Sequence, residues 1–182
     1  MTVFISEVTM YQHSAAVLAT GFALAIVAFT TNPAAAETGK PGARTQAVSA
    51  QTIARGKYMV QTGHCNNCHT SGYTRKEGDV PENERLLGSA PLGYRGPWGT
   101  TYASNLRLTV QNFTQAQWVK YAKAIQPRPP MPWWSLRDTT DQDLGAMYQY
   151  IKHLGPAGES APAYLPADQE PKPPYESRQL IK

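Results

Sequence analysis

Apolar positions recur at helical spacing in three stretches of this chain, and turn-forming residues fill the intervals between them. In the first stretch Ile53, Tyr58, Met59 and Val60 predict a helix that ends at Gly63. In the second, Ala116, Trp118, Val119, Ala122 and Ile125 predict a helix over 114–125, with Thr114 able to cap its start and Pro127 to stop it. A third is predicted over 141–154, where Thr140 or Asp141 is the cap. Its apolar stripe is Leu144, Met147, Tyr148, Ile151 and Leu154, and Gly155-Pro156 closes it. Residues 70–112 are turn-rich, and 156–182 contain six prolines, which predicts an extended polyproline-like tail lying over the core or reaching a partner. Nearly all the periodic signal falls in 51–155, preceded by a small, polar and flexible lead-in over 37–50. There is no internal repeat.

One apolar run has no helical stripe. Residues 15–29 carry no charge, and Pro33-Ala34-Ala35-Ala36 supplies the small residues that a signal peptidase reads. As a helix the run spans only ~22 Å against the ~30 Å of a hydrocarbon core, so a signal peptide over 1–36, cleaved after Ala36, is expected rather than a stable membrane span. The expected destination is the periplasm, with a retained anchor as the alternative. No Lys or Arg precedes the run, and a start at Met10 would make a cleaner signal by removing Glu7.

With 182 residues, including 14 Gly and 15 Pro, the chain suits one loop-rich domain. Its 17 Lys and Arg against 13 Asp and Glu are scattered, with Arg75-Lys76 the one adjacent basic pair, which argues against a nucleic-acid partner.

Both cysteines fall in Cys65-Asn66-Asn67-Cys68-His69, the C-x-x-C-H arrangement of c-type haem attachment. Two thiols on one helical turn can each add across a haem vinyl group, and the next histidine is then held against the iron. A thioredoxin-like redox pair would require a βαβ pattern that the flanks lack. A structural zinc would require four ligands, and the other histidines are His64, abutting the motif, His153, far along the chain, and His13, in the leader. One covalent haem c is therefore expected on Cys65 and Cys68, with His69 as an axial iron ligand.

The opposite iron face decides the chemistry, since a filled face passes electrons and an open one binds gases or peroxide. Met59 lies too close to Cys65 to reach round the haem, and Met147 falls on a core-facing stripe. Met131, in Arg128-Pro129-Pro130-Met131-Pro132-Trp133-Trp134, sits on a loop stiffened by prolines on both sides, which suits presentation of a thioether. It is the expected second axial ligand.

Together, Arg55-Gly56-Lys57-Tyr58-Met59-Val60, the haem motif with Thr70, Pro97-Trp98-Gly99-Thr100-Thr101-Tyr102-Ala103-Ser104-Asn105-Leu106, Pro130-Met131-Pro132-Trp133 and residues 143–151 resemble a class I cytochrome c domain over 51–155. The resemblance extends to the modules that accompany bacterial membrane-bound alcohol and sugar-acid dehydrogenases, although those subunits commonly carry three modules and a membrane helix. It implies an all-α fold of three to four helices around one haem, His69 and Met131 as axial ligands, and a crossing of the first and last helices near Gly56 and Tyr150. It also implies a proline carbonyl, from Pro91 or Pro97, as acceptor of the axial histidine's hydrogen bond. Asn105 is expected at a haem propionate, at the Met131 sulfur or in a turn, and Arg95 at a propionate or on the surface. Trp98, Trp118, Trp133 and Trp134 are expected as pocket and core walls, and His64 as inert. Lys57, Lys120 and Lys123 are candidates to ring an exposed haem edge or simply to serve solubility.

The expected function is a periplasmic carrier of single electrons, not an enzyme in itself. It would work between a dehydrogenase or reductase donor and an acceptor such as a terminal oxidase. Two alternatives remain: a haem sensor with a displaceable sixth ligand, and an accessory haem subunit of a larger oxidoreductase.

Overall fold

The computed structural model describes residues 48–179; the leader expected over 1–36, and the lead-in as far as residue 47, lie outside the described residues. Six helices follow in chain order: α1 (Ala50–Thr62), α2 (Cys65–His69), α3 (Leu106–Thr109), α4 (Gln115–Ala124), α5 (Trp133–Asp138) and α6 (Asp141–His153). Three short strands accompany them: β1 (Gly93–Gly96), β2 (Gly99–Thr101) and β3 (Tyr175–Ser177). Among the described residues no helix is long and apolar enough to cross a membrane.

The three helices expected from periodicity are α1, α4 and α6. Ser49 caps α1 by accepting from the Thr52 N–H, and Gly63 closes it. Thr114 and Gln117 form a reciprocal capping box on α4. Thr140 caps α6, which has Asp141 and Asp143 in its first turn and Lys152 and His153 in its last, each sign matching the helix dipole.

The core is built around α6, whose Leu144, Met147, Tyr148, Tyr150 and Ile151 are buried with Val60, Leu86, Val110, Trp118 and Ala122. Full burial of each large apolar side chain is worth roughly 1.5–3 kcal/mol. The expected crossing is present: a Cβ on Gly56 would stand 2.1 Å from the Ala146 carbonyl oxygen and 2.7 Å from Tyr150 Cβ. Only a hydrogen atom fits between α1 and α6 there. The Arg55–Asp143 ion pair, at 2.7 Å, links the same two helices beside the crossing.

Two expectations are corrected. The fold is not all-α: β1 pairs antiparallel with β2 and parallel with β3, giving the order β2-β1-β3. Strands of three or four residues, two of them glycine in β1, carry no alternating pattern to read. Nor is the C-terminal segment polyproline-like throughout: as far as residue 179 it runs along the β1–β2 hairpin, where Leu165 bridges Thr100 and Gly93 N–H donates to the Pro174 carbonyl, and it supplies β3. The short helices α3 and α5 fall outside the predicted elements, being too brief to show a period.

Candidate functional site

Cys65, Cys68 and His69 share the five-residue helix α2. The chain enters it from α1 through Gly63 and then His64, which adopts the left-handed conformation at φ 57°. His64, expected to be inert, is thus the pivot that lets one helix follow another at once, and histidine tolerates this conformation better than most residues. Both thiols are free and half-buried, and burial pushes the Cys65 thiol up to about 11.

His69 is buried, with Nδ1 donating to the Ser104 carbonyl at 2.7 Å. A carbonyl oxygen only accepts, so the ring proton sits on Nδ1 and Nε2 keeps its lone pair. Burial holds the imidazole below its ordinary pKa range, with the Ser104 bond opposing it. The result is a neutral, oriented imidazole of the kind a metal requires. Ser104 replaces the expected proline carbonyl, and both Pro91 and Pro97 are exposed.

A loop over 86–89 fixes this arrangement. Gly88 N–H donates to the His69 carbonyl, Leu86 N–H to the Thr70 hydroxyl, and Thr70 in turn to the buried Asn66 side chain. On its other side the loop holds the segment carrying Ser104, through Ser89 N–H to the Ala103 carbonyl and Leu106 N–H to the Leu86 carbonyl. Gly88, at φ 97°, sits so tightly between them that a Cβ would lie 2.9 Å from the Ala103 oxygen. The histidine and its acceptor, far apart in sequence, are thus tied to one strip of backbone.

Asn105 has a structural role. Its side chain caps α3 through Leu108 N–H and donates to the carbonyls of Ala157, at 2.8 Å, and Glu159, at 3.1 Å. Arg95 is bound to the C-terminal segment, donating to the Gln169 carbonyl at 2.7 Å and pairing with Glu170. Trp118 is a core wall, Trp98 and Trp133 are half-buried, and Trp134 is 52% exposed with its ring edge-on to Trp133. Among the described residues the buried Trp98 Nε1 has no hydrogen-bond partner. Lys57 pairs with Glu82 and Lys123 with Asp141, at 3.0 and 3.1 Å, while Lys120 is exposed.

Met131 lies half-buried on the loop between α4 and α5, its carbonyl accepting from Trp133 N–H as α5 begins. Met147 is 5% exposed within the core, and Met59 packs at the core's edge on α1. Tyr94, buried on β1, was not singled out from the sequence; burial and the neighbouring Cys68 sulfur hold its hydroxyl above the usual range. Its only sequence signal was an apolar residue between two turns.

These residues fit a covalently held haem: two thiols on one turn beside a neutral imidazole whose Nε2 keeps its lone pair. Comparison with known proteins agrees. The family model for Cytochrome c matches residues 53–155, more than half of the chain. The fructose dehydrogenase cytochrome subunit of Gluconobacter japonicus is 27% identical over 110 residues, covering 55% of this chain and 21% of the relative. This chain thus matches about a fifth of that relative's length. No solved structure matches it.

Proposed function

This chain belongs to the cytochrome c family, and we propose from that premise that it is a periplasmic carrier of single electrons with His69 and Met131 as the axial ligands of its haem. The cofactor of the family is one covalent haem c, whose iron alternates between two oxidation states and so passes one electron at a time. Cys65 and Cys68 are the attachment residues. The observation that carries the reading is the Nδ1–H to Ser104 carbonyl bond, because it leaves Nε2 of the residue next to the two thiols as a fixed, unprotonated donor.

The chain's own residues then have defined tasks. α2 presents both sulfurs from one turn, and the loop over 86–89 keeps the imidazole from rotating. The prolines around Met131 limit the entropy lost when its weak thioether donor is immobilised. A methionine opposite a histidine raises the reduction potential, which suits a carrier working into a higher-potential acceptor. No substrate is transformed at these residues.

The donor proposed is a dehydrogenase, on the ground that the curated relative is the cytochrome subunit of one. Whether the chain diffuses between donor and acceptor or stays docked as a haem subunit is decided by co-purification from its own cells. Export follows from the leader over 1–36, and amino-terminal sequencing of the mature protein is expected to read Glu37. Mass spectrometry of the exported protein tests the whole proposal. A covalent haem on the 65–68 peptide supports it, and an unmodified peptide overturns it.

A further inference from the structure

The loop that carries Met131 is short of internal ties. Pro127, Pro129, Pro130 and Pro132 have no N–H to donate. Among the described residues, the hydrogen bonds at its end are local ones, from Trp133 N–H to the Met131 carbonyl and from Ser135 N–H to the Pro132 carbonyl. Its long-range contact is of another kind: the Arg128 guanidinium lies over the ring of Tyr164, 3.8 Å from the centroid.

Tyr164 is itself held firmly, although it comes from the C-terminal segment. Its hydroxyl donates to the Trp98 carbonyl at 2.8 Å, at the turn between β1 and β2. The next residue, Leu165, exchanges two backbone hydrogen bonds with Thr100, at 2.8 and 3.1 Å. Gly99 makes room for this crossing, since a Cβ there would lie 2.3 Å from the Leu165 oxygen and 2.8 Å from the Tyr164 ring. Upstream, Asn105 grips the carbonyls of Ala157 and Glu159. The C-terminal segment is therefore anchored on the residue beside Ser104, then on the hairpin, and from there reaches the Met131 loop.

We propose that Tyr164 is a positioning residue for the sixth ligand: its ring, pinned to the β1–β2 hairpin, stacks on Arg128 and holds the Met131 loop closed. The proposal rests on Met131 being that ligand. Tyr164 acts through Arg128, three residues before the thioether. The pair is partly exposed, with Tyr164 at 37%, so the tie restrains the loop without locking it.

The experiment uses the full-length, haem-loaded ferric protein and imidazole as the probe, since imidazole binds only when the methionine leaves. The rate measured at saturating imidazole reports opening of the loop. Arg128→Gln and Tyr164→Leu are each expected to raise that rate about two- to fivefold, the range a partly exposed cation–π contact supports. The double variant should open no faster than the faster single one, because each change removes the same contact. Tyr164→Phe keeps the ring beneath the guanidinium but loses the hydroxyl tie to Trp98, so it should open faster than wild type and more slowly than Tyr164→Leu. Wild-type rates in both Arg128→Gln and Tyr164→Leu would overturn the proposal, as would additive effects in the double variant or a Tyr164→Phe rate equal to that of Tyr164→Leu. Met131→Ala separates this from failure of the ligand assignment. If it binds imidazole without an opening step, the ligand stands whatever the Tyr164 variants do; if it opens as slowly as wild type, the assignment itself has failed.

Discussion

Arg107 closes the end of α6 by donating from Nε to the Gly155 carbonyl at 2.6 Å. The same guanidinium donates to the carbonyls of Leu154 and Asn83, so one buried side chain joins the last helix to the loop after α2. Its charge is balanced by backbone dipoles at a helix C-terminus, where a cation is favoured. Burial lowers its pKa, yet an arginine remains charged at any ordinary pH.

Arg107→Met should strand those three carbonyls and cost on the order of 2–4 kcal/mol. Urea unfolding of the haem-loaded protein would show a lower midpoint with an unchanged slope. An unchanged midpoint would mean that water replaces the guanidinium without loss.

Gly56→Ala places a methyl group against the Ala146 carbonyl, which cannot move without displacing α6. Overpacking of this kind costs ~1–3 kcal/mol or more, so the thermal midpoint should fall by several degrees. Gly72→Ala is the control for space alone, because nothing lies within 4 Å of a Cβ at Gly72, although its φ of 75° carries a backbone penalty of its own.

Cys68→Ala should keep at most one thioether bond. Tryptic peptides spanning the motif would carry haem through Cys65 alone, and a variant still doubly attached is chemically impossible with the remaining thiol. Recovery of the variant with no haem at all would make Cys68 the dominant attachment point.

Met131→Ala should leave haem attached while removing the sulfur-to-ferric-iron charge-transfer band near the red end of the spectrum. It should also lower the reduction potential and admit carbon monoxide to the reduced protein. Met147→Ala should do none of these and instead destabilise the core by ~2–5 kcal/mol. If the band survives the first change and vanishes in the second, α6 carries the ligand.

The long periodic helices and the attachment motif were legible in the sequence because each is a local pattern. Thr114, Thr140 and Gly63 mark helix ends within a few residues of the stripes they bound, and Cys65, Cys68 and His69 need only their own spacing. The hairpin was not legible, since Gly93-Tyr94-Arg95-Gly96 becomes a strand by pairing with β2 on one side and with β3, from the far end of the chain, on the other.

What the sequence by itself determined is a set of groups and their spacing: two thiols and an imidazole within five residues, and a methionine between prolines. Tertiary structure alone decided how those groups are held. A backbone carbonyl has no side-chain signature, so Ser104 as acceptor for His69 could emerge only once the loop over 86–89 had brought the two segments together. Arg95 and Asn105 were equally open to several roles as isolated polar residues. In the structure each is engaged by the C-terminal segment folding back, because its carbonyls at Gln169, Ala157 and Glu159 lie where those side chains can donate to them. Spacing along the chain encodes which groups can react, whereas the partners of a buried polar group depend on which distant backbone is folded against it.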